Sequence, residues 1–278
     1  MNKNIKIILL SVLLFSVILI GIDKAYEAVS KDIQLNQKNA KRQLESSSAE
    51  QPVKESSSKN ELTSVSSTEK EIEKTTSEKR VALTFDDGPN PKTTPEVLKA
   101  LDEYQVKATF FLLGTNAQSN PDIVKDIKKA NHEIASHTNA HSDLTTLTPE
   151  QVEADIDKSD QAIKEITGEK PAYIRPPYGA VNKKVAGIIK RPLIQWSVDS
   201  NDWSLKNKEK IAERVKSTVY PGSIILLHDI QEQSAKALPD ILTFLKEENY
   251  ELVTISELLN SPKEVLNYYG SKDNRPVK

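Results

Sequence analysis

Between residues 80 and 260 short apolar runs alternate with amphipathic stretches, and this alternation limits the fold more than any other feature of the chain. The strand-like runs are "VALTFD", "ATFFLL", "HEIASH", "AYIRPP", "LIQWSVD", "SIILLHD" and "ELVTI". Helical patterns separate them: "TTPEVLKALDEY", "NPDIVKDIKKA", "TPEQVEADIDKSDQAIKEIT", "NKKVAGIIK", "NKEKIAERVKSTV" and "AKALPDILTFLKEE". Several open on Thr-Pro or Asn-Pro, a capping residue followed by a proline suited to the first helical turn. Strands in regular alternation with helices predict parallel pairing through crossover helices. About seven such units predict one α/β domain over 80–260, closed as a barrel or open as a doubly wound sheet.

The flanks lack this pattern. Lys3 and Lys6 precede an uncharged apolar run over residues 7–22, which predicts a signal peptide or a retained signal-anchor within 1–24. No small-residue cleavage site follows, so a transmembrane anchor is expected, with the lysines inside and the rest of the chain outside. Residues 25–79 are dominated by Ser, Glu, Lys, Gln and Thr and predict a disordered polar tether, because they cannot bury enough surface to offset chain entropy. Residues 261–278 are expected as a polar tail in which "VLNYY" could dock. The formal net charge of -2 and pI near 6.2 give no sign of a nucleic-acid or polybasic membrane surface. The chain has no cysteine, which excludes disulfides, thiolate nucleophiles and Cys-ligated zinc, so any metal must rest on His and carboxylates.

Asp86, His137, Arg175, Asp199 and His228 all fall at the C-terminal end of a predicted strand, the edge where α/β folds bind ligands. In "ALTFDDGPN" the first acid ends a strand and the second already belongs to the turn, so Asp86 and Asp87 can converge on one point. In "SHTNAH" His137 and His141 stand at i and i+4; on a helical turn their Cβ atoms would lie about 5–6 Å apart, within reach of one divalent ion. Thr138 follows the first His where H-E-x-x-H proteases carry their base, so a base must come from elsewhere. One of the paired acids would complete the ligand set and the other would serve as base. Arg175, before a stiff Pro-Pro turn, is placed to orient a carboxylate. "WSVDSNDWS" offers Asp199, Asp202 and Trp203 beside the cleft, and His228 after "IILL" is placed as an acid. His132 is expected to be structural.

In this order TFDDGP, HTNAH, RPPYG, DSNDW and LLHD resemble the five motifs of the polysaccharide deacetylase family, carbohydrate esterase family 4, over residues 81–259. The resemblance implies a distorted (β/α) barrel of about seven parallel strands that removes acetyl groups from polysaccharides. It implies Asp86 as catalytic base, Asp87, His137 and His141 as metal ligands, and Arg175 as the residue orienting the base. It implies His228 as general acid with Asp202 as its partner, the Tyr178 backbone N–H as oxyanion donor, and Trp203 and Leu226 as walls of the acetyl-methyl pocket. Asn201 and Asn139-Ala140 depart from the family's usual residues, which bears on substrate preference. The expected cofactor is a divalent cation, Zn2+ first, with Co2+, Ni2+ or Mn2+ as alternatives. With the anchor and tether, the expected partner is an acetylated cell-surface glycan, peptidoglycan foremost. Poly-N-acetylglucosamine, chitin oligomers and acetylxylan are the alternative substrates, and a non-catalytic wall-binding module or a glycoside hydrolase the rival classes.

Overall fold

The computed structural model describes residues 79–278; the expected anchor over 1–24 and nearly all of the 25–79 tether lie outside the described residues. The elements run β1 (Arg80–Asp86), α1 (Thr93–Glu103), β2 (Thr109–Leu112), α2 (Gly114–Ser119), α3 (Pro121–Lys129), β3 (Glu133–Ser136), α4 (Pro149–Thr167), α5 (Lys183–Ile189), β4 (Leu193–Ile194) and β5 (Val198–Asp199). They continue as α6 (Asp202–Leu205), α7 (Lys208–Thr218), β6 (Ile224–His228), α8 (Glu232–Glu247), β7 (Glu251–Val253), α9 (Ile255–Leu259), β8 (Asn267–Gly270) and β9 (Asp273–Arg275). Among the described residues no helix is long and apolar enough to cross a membrane.

β1 is the hub. β6 pairs along one edge, while β7 takes the first part of the other edge and β2 the last, all in parallel. Pairing continues from β2 to β3, then through a single-residue bridge at Ile174 to β4, and β5 joins β6. From β1 to β6 the strands thus follow sequence order around a distorted barrel, with β7 added beside β2 on β1. Two runs differ from the sequence expectation. "AYIRPP" contributes one bridge residue because its prolines cannot donate to a ladder. "LIQWSVD" is two strands, interrupted by residues 195–197. Residues 261–278, expected as a tail, carry β8 and β9: β8 pairs in parallel with β4, and Tyr268 is buried there.

The period of two along β1 sorts its side chains. Val81, Leu83 and Phe85 face outward into the core shared with α1, α7 and α8. Ala82 turns inward to a second core with Phe111, Ile194, Ile224 and Tyr268. The inward row therefore reads Ala82, Thr84, Asp86, more polar toward the C-terminal end. β6 repeats the arrangement, with Ile225 and Leu227 in the outer core and Ile224 in the inner one. α4 starts where a sequence rule places it: Thr148 and Gln151 form a reciprocal capping box, Pro149 follows, and Gly168 ends the helix at φ 84°.

Candidate active site

Register does the first positioning. Asp86 pairs with His228 on the neighbouring strand, and Thr84 with Leu226 two residues below. Asp86 is almost wholly buried and accepts a 2.6 Å hydrogen bond from Arg175 Nη1 on Oδ1. Arg175 is itself buried; it also donates to Thr84 Oγ1 and to the carbonyls of Ile194 and Gln195, and its guanidinium lies 4.0 Å from the Phe111 ring centroid. Burial pushes the Asp86 carboxyl above its ordinary value, while Arg175 and His228 pull it back. A carboxyl so placed is a stronger base than one in water.

His228 is tied on its other side. Its Nδ1 donates to Asp202 Oδ1 at 2.7 Å, and its backbone N–H donates to Asp202 Oδ2 at the same distance. Asp202 is fully buried and also accepts from the Trp203 N–H and the Ser234 hydroxyl. Burial disfavours the imidazolium, but Asp202, Asp86 and Asp87 outweigh it and raise the His228 pKa to about 9. The ring is held protonated at neutral pH with Nε2 as its remaining donor.

The third group lies next to this pair. Asp87 takes a left-handed backbone, φ 73°, which lets its side chain join Asp86 at one site although the two are sequence neighbours. Its Oδ1 lies 3.5 Å from His137 Nε2 and 3.4 Å from His141 Nε2, and it is buried without a hydrogen-bond partner. Three donors around an ion at about 2.0–2.1 Å in tetrahedral geometry lie ~3.3 Å apart, so the cluster fits a divalent cation. The His137 Nδ1–H donates to the Arg175 carbonyl at 2.7 Å, which fixes the tautomer and leaves Nε2 as the ligand atom. Burial lowers its pKa to about 3, so the ring is neutral, as a ligand must be.

The histidines do not share a helical turn, as their spacing suggested. Residues 137–141 form a loop in which Thr138 and His141 have φ of 73° and 58°, and these turns bring the ring centroids to 5.0 Å.

Together the groups line a cleft of about 490 Å³ with Tyr178, Trp196, Asp199, Trp203, Leu226 and Gln231. Tyr178 is held at φ 60° with its ring edge-on to His141, and it and Trp203 are the exposed aromatics at the mouth. Leu226 is buried on the wall. Asp199 lines the cleft, while one oxygen accepts from the Asn201 N–H. His132 stands apart, accepting from the Ala108 N–H and packed on Phe110. Thr84, Trp196, Gln231 and Ser234 were not singled out in the sequence. Of these Thr84 had a signal, since it precedes Asp86 by one strand period.

Residues 73–192 match the family model described as polysaccharide deacetylase. Over 201 residues the chain is 43% identical to the peptidoglycan-N-acetylglucosamine deacetylase PgdA of Listeria monocytogenes, covering 72% of this chain and 43% of that protein. The chain thus spans under half the length of that relative. It is 39% identical over 189 residues to a peptidoglycan-N-acetylglucosamine deacetylase of Bacillus cereus, covering 65% of this chain and 88% of the relative. The solved structure of the peptidoglycan deacetylase PdaC from Bacillus subtilis superposes with a TM-score of 0.65 at 38% identity, covering 66% of this chain and 91% of that one.

Proposed function

The chain belongs to the polysaccharide deacetylase family, and from that premise we propose that it hydrolyses N-acetyl groups on the N-acetylglucosamine residues of cell-wall peptidoglycan. One observation carries the reading: strand register sets a buried acid, Asp86, beside a protonated imidazole, His228, in the cleft that also holds the Asp87–His137–His141 cluster. Those three residues would hold a divalent cation, zinc first, with cobalt, nickel or manganese as alternatives. When bound, the cation supplies Lewis acidity toward the acetyl carbonyl and the attacking water.

The remaining work falls to side chains. Asp86 takes a proton from the attacking water; its Oδ1 is engaged by Arg175, so Oδ2 is the accepting oxygen. Arg175 fixes the angle of that carboxylate. The Tyr178 backbone N–H donates to the developing oxyanion. His228, held at Nδ1 by Asp202, gives its Nε2 proton to the sugar nitrogen as the C–N bond breaks, because an amine expelled without a proton is a very poor leaving group. Leu226 and Trp203 wall the acetyl methyl. Acetate and the glucosamine amine are the products, and no covalent intermediate is required.

The names of the relatives support peptidoglycan as the polymer. The basic start and apolar run of residues 1–24, followed by a stretch of polar composition, support an extracellular domain held at the cell membrane. The test is acetate release from peptidoglycan, poly-N-acetylglucosamine, chitin oligomers and acetylxylan, with metal stripped and restored. The expected result is metal-dependent release, highest on peptidoglycan. No release from any polymer by the metal-loaded protein would overturn the enzymatic reading, and a stronger response to another polymer would overturn the substrate.

A further inference from the structure

We propose that Asp155, on the inner turn of α4, is a positioning residue that holds the loop between His137 and His141 at the spacing a divalent cation requires; this rests on the metal-dependent reading above. The loop is costly to keep. Left-handed backbone at a residue with a side chain is strained and persists only where its surroundings fix it. Thr138 and His141 both adopt it.

Beyond the bonds of His137 itself to the Leu112 and Arg175 carbonyls, a set of hydrogen bonds fixes this loop. The Gly114 and Thr115 N–H groups donate to the carbonyls of Thr138 and Asn139 at 3.0 and 3.1 Å. The Thr138 N–H donates to Ser136 Oγ, and the His141 N–H to Thr138 Oγ1, each at 3.2 Å. The shortest of the set, at 2.8 Å, runs from the Asn139 N–H to Asp155 Oδ1; the Ala140 N–H also bonds the Asp155 carboxylate, and these alone in the set use a charged acceptor. Such bonds are roughly twice as strong as neutral ones.

α4 reaches the loop at a second point one turn on. Ser159 Oγ bonds Ser136 Oγ at 2.9 Å, and Ser136 Oγ is the oxygen that receives the Thr138 N–H. The i, i+4 pair Asp155 and Ser159 therefore grips both sides of the left-handed Thr138. From the other side α2 closes the space: a Cβ on Gly114 would stand 2.7 Å from Asn139 Oδ1 and 2.8 Å from Ser159 Cα. The loop sits between two helices, and Asp155 is the contact that ties its middle to α4.

The experiment measures the zinc affinity of the full-length chain by competition with a chromogenic chelator. Asp155→Asn keeps an acceptor oxygen in place without the charge and should weaken zinc less than either of the other two variants. Asp155→Glu keeps the charge but moves the acceptor outward, and Asp155→Ala removes it; both should weaken zinc about tenfold or more, the scale of supporting-shell losses. Thermal unfolding of the zinc-free proteins should place the Asn and Glu variants together, which separates the effect from general destabilisation. Zinc affinity equal across all variants would overturn the proposal, as would a weakened Asn variant beside a wild-type-like Glu variant. A wild type that takes no zinc would sink the metal reading itself, and this proposal with it.

Discussion

The residues proposed for proton transfer and those proposed to hold the metal share one cleft but are held by different means. Asp86 and His228 are each locked by a buried side-chain partner, Arg175 and Asp202, whose remaining polar atoms are also engaged. Asp87, His137 and His141 are held by backbone instead, through left-handed residues and a loop, and Asp87 Oδ1 is left with no partner. The difference follows from what each group must do. A base and an acid need one orientation and a tuned proton affinity, which neighbouring charges supply. A ligand set needs open lone pairs aimed at one point, so internal hydrogen bonds at those atoms would compete with the ion.

Substitutions on either side can break this contrast. The largest effect expected is on turnover: Asp86→Asn should cut acetate release by about 10²–10⁴-fold while zinc content stays at wild-type stoichiometry. Unchanged release would remove Asp86 as the base. The next test is stability of the zinc-free protein in denaturant. Asp86→Ala leaves the buried Arg175 cation unpaired and should lose about 3–5 kcal/mol. Asp87→Ala removes a carboxylate whose Oδ1 is already unpartnered, so its zinc-free form should lose much less than that of Asp86→Ala while zinc binding is lost. Equal losses in the two variants would erase the contrast.

A pH profile sharpens it further. With the His228 pKa raised to about 9, turnover should hold through neutral pH and fall as the ring deprotonates around 9. The stability that His228 gains from its partner is likewise complete below 6.5 and lost as pH rises through about 9. In Asp202→Asn burial is opposed by less charge, so the alkaline limb should move down toward 6.5. A limb that stays in place would deny His228 the role of acid. The smallest effect belongs to Trp203→Ala. That residue is 57% exposed, so folding should be unaffected and KM for the glycan should rise about threefold to tenfold, the scale of one aromatic contact.

The sequence carried the fold where apolar runs are unbroken. β1, β2, β3, β6 and β7 fall within predicted runs to within one residue, because strands buried on both faces leave continuous apolar runs. It faltered where pairing shrinks to a residue or two, at Ile174 and at the β4–β5 break, since neither leaves a pattern. The C-terminal β8–β9 hairpin was hidden by its polar composition. At the site, the paired acids and the two histidines were visible as spacings, but their geometry was not. Left-handed φ at Asp87, Thr138 and His141 is a property of the surrounding chain, and a helical turn was the only local guess the i, i+4 spacing offered. Asp155 was invisible for a related reason: on an amphipathic helix one more half-exposed acid looks like solvated surface.

If the chain is the deacetylase proposed above, Arg175 has a consequence for how that activity can be lost. Its guanidinium binds the carbonyls of Ile194 and Gln195 next to the β4–β5 interruption, where the ladder is thinnest, while the same group grips Asp86. Support of that seam and orientation of the proposed base thus share one cation. A descendant that discarded its chemistry by losing that aspartate would have to rebuild the seam as well, so inactivity should be reached more cheaply through the histidine loop than through the strand that starts the fold.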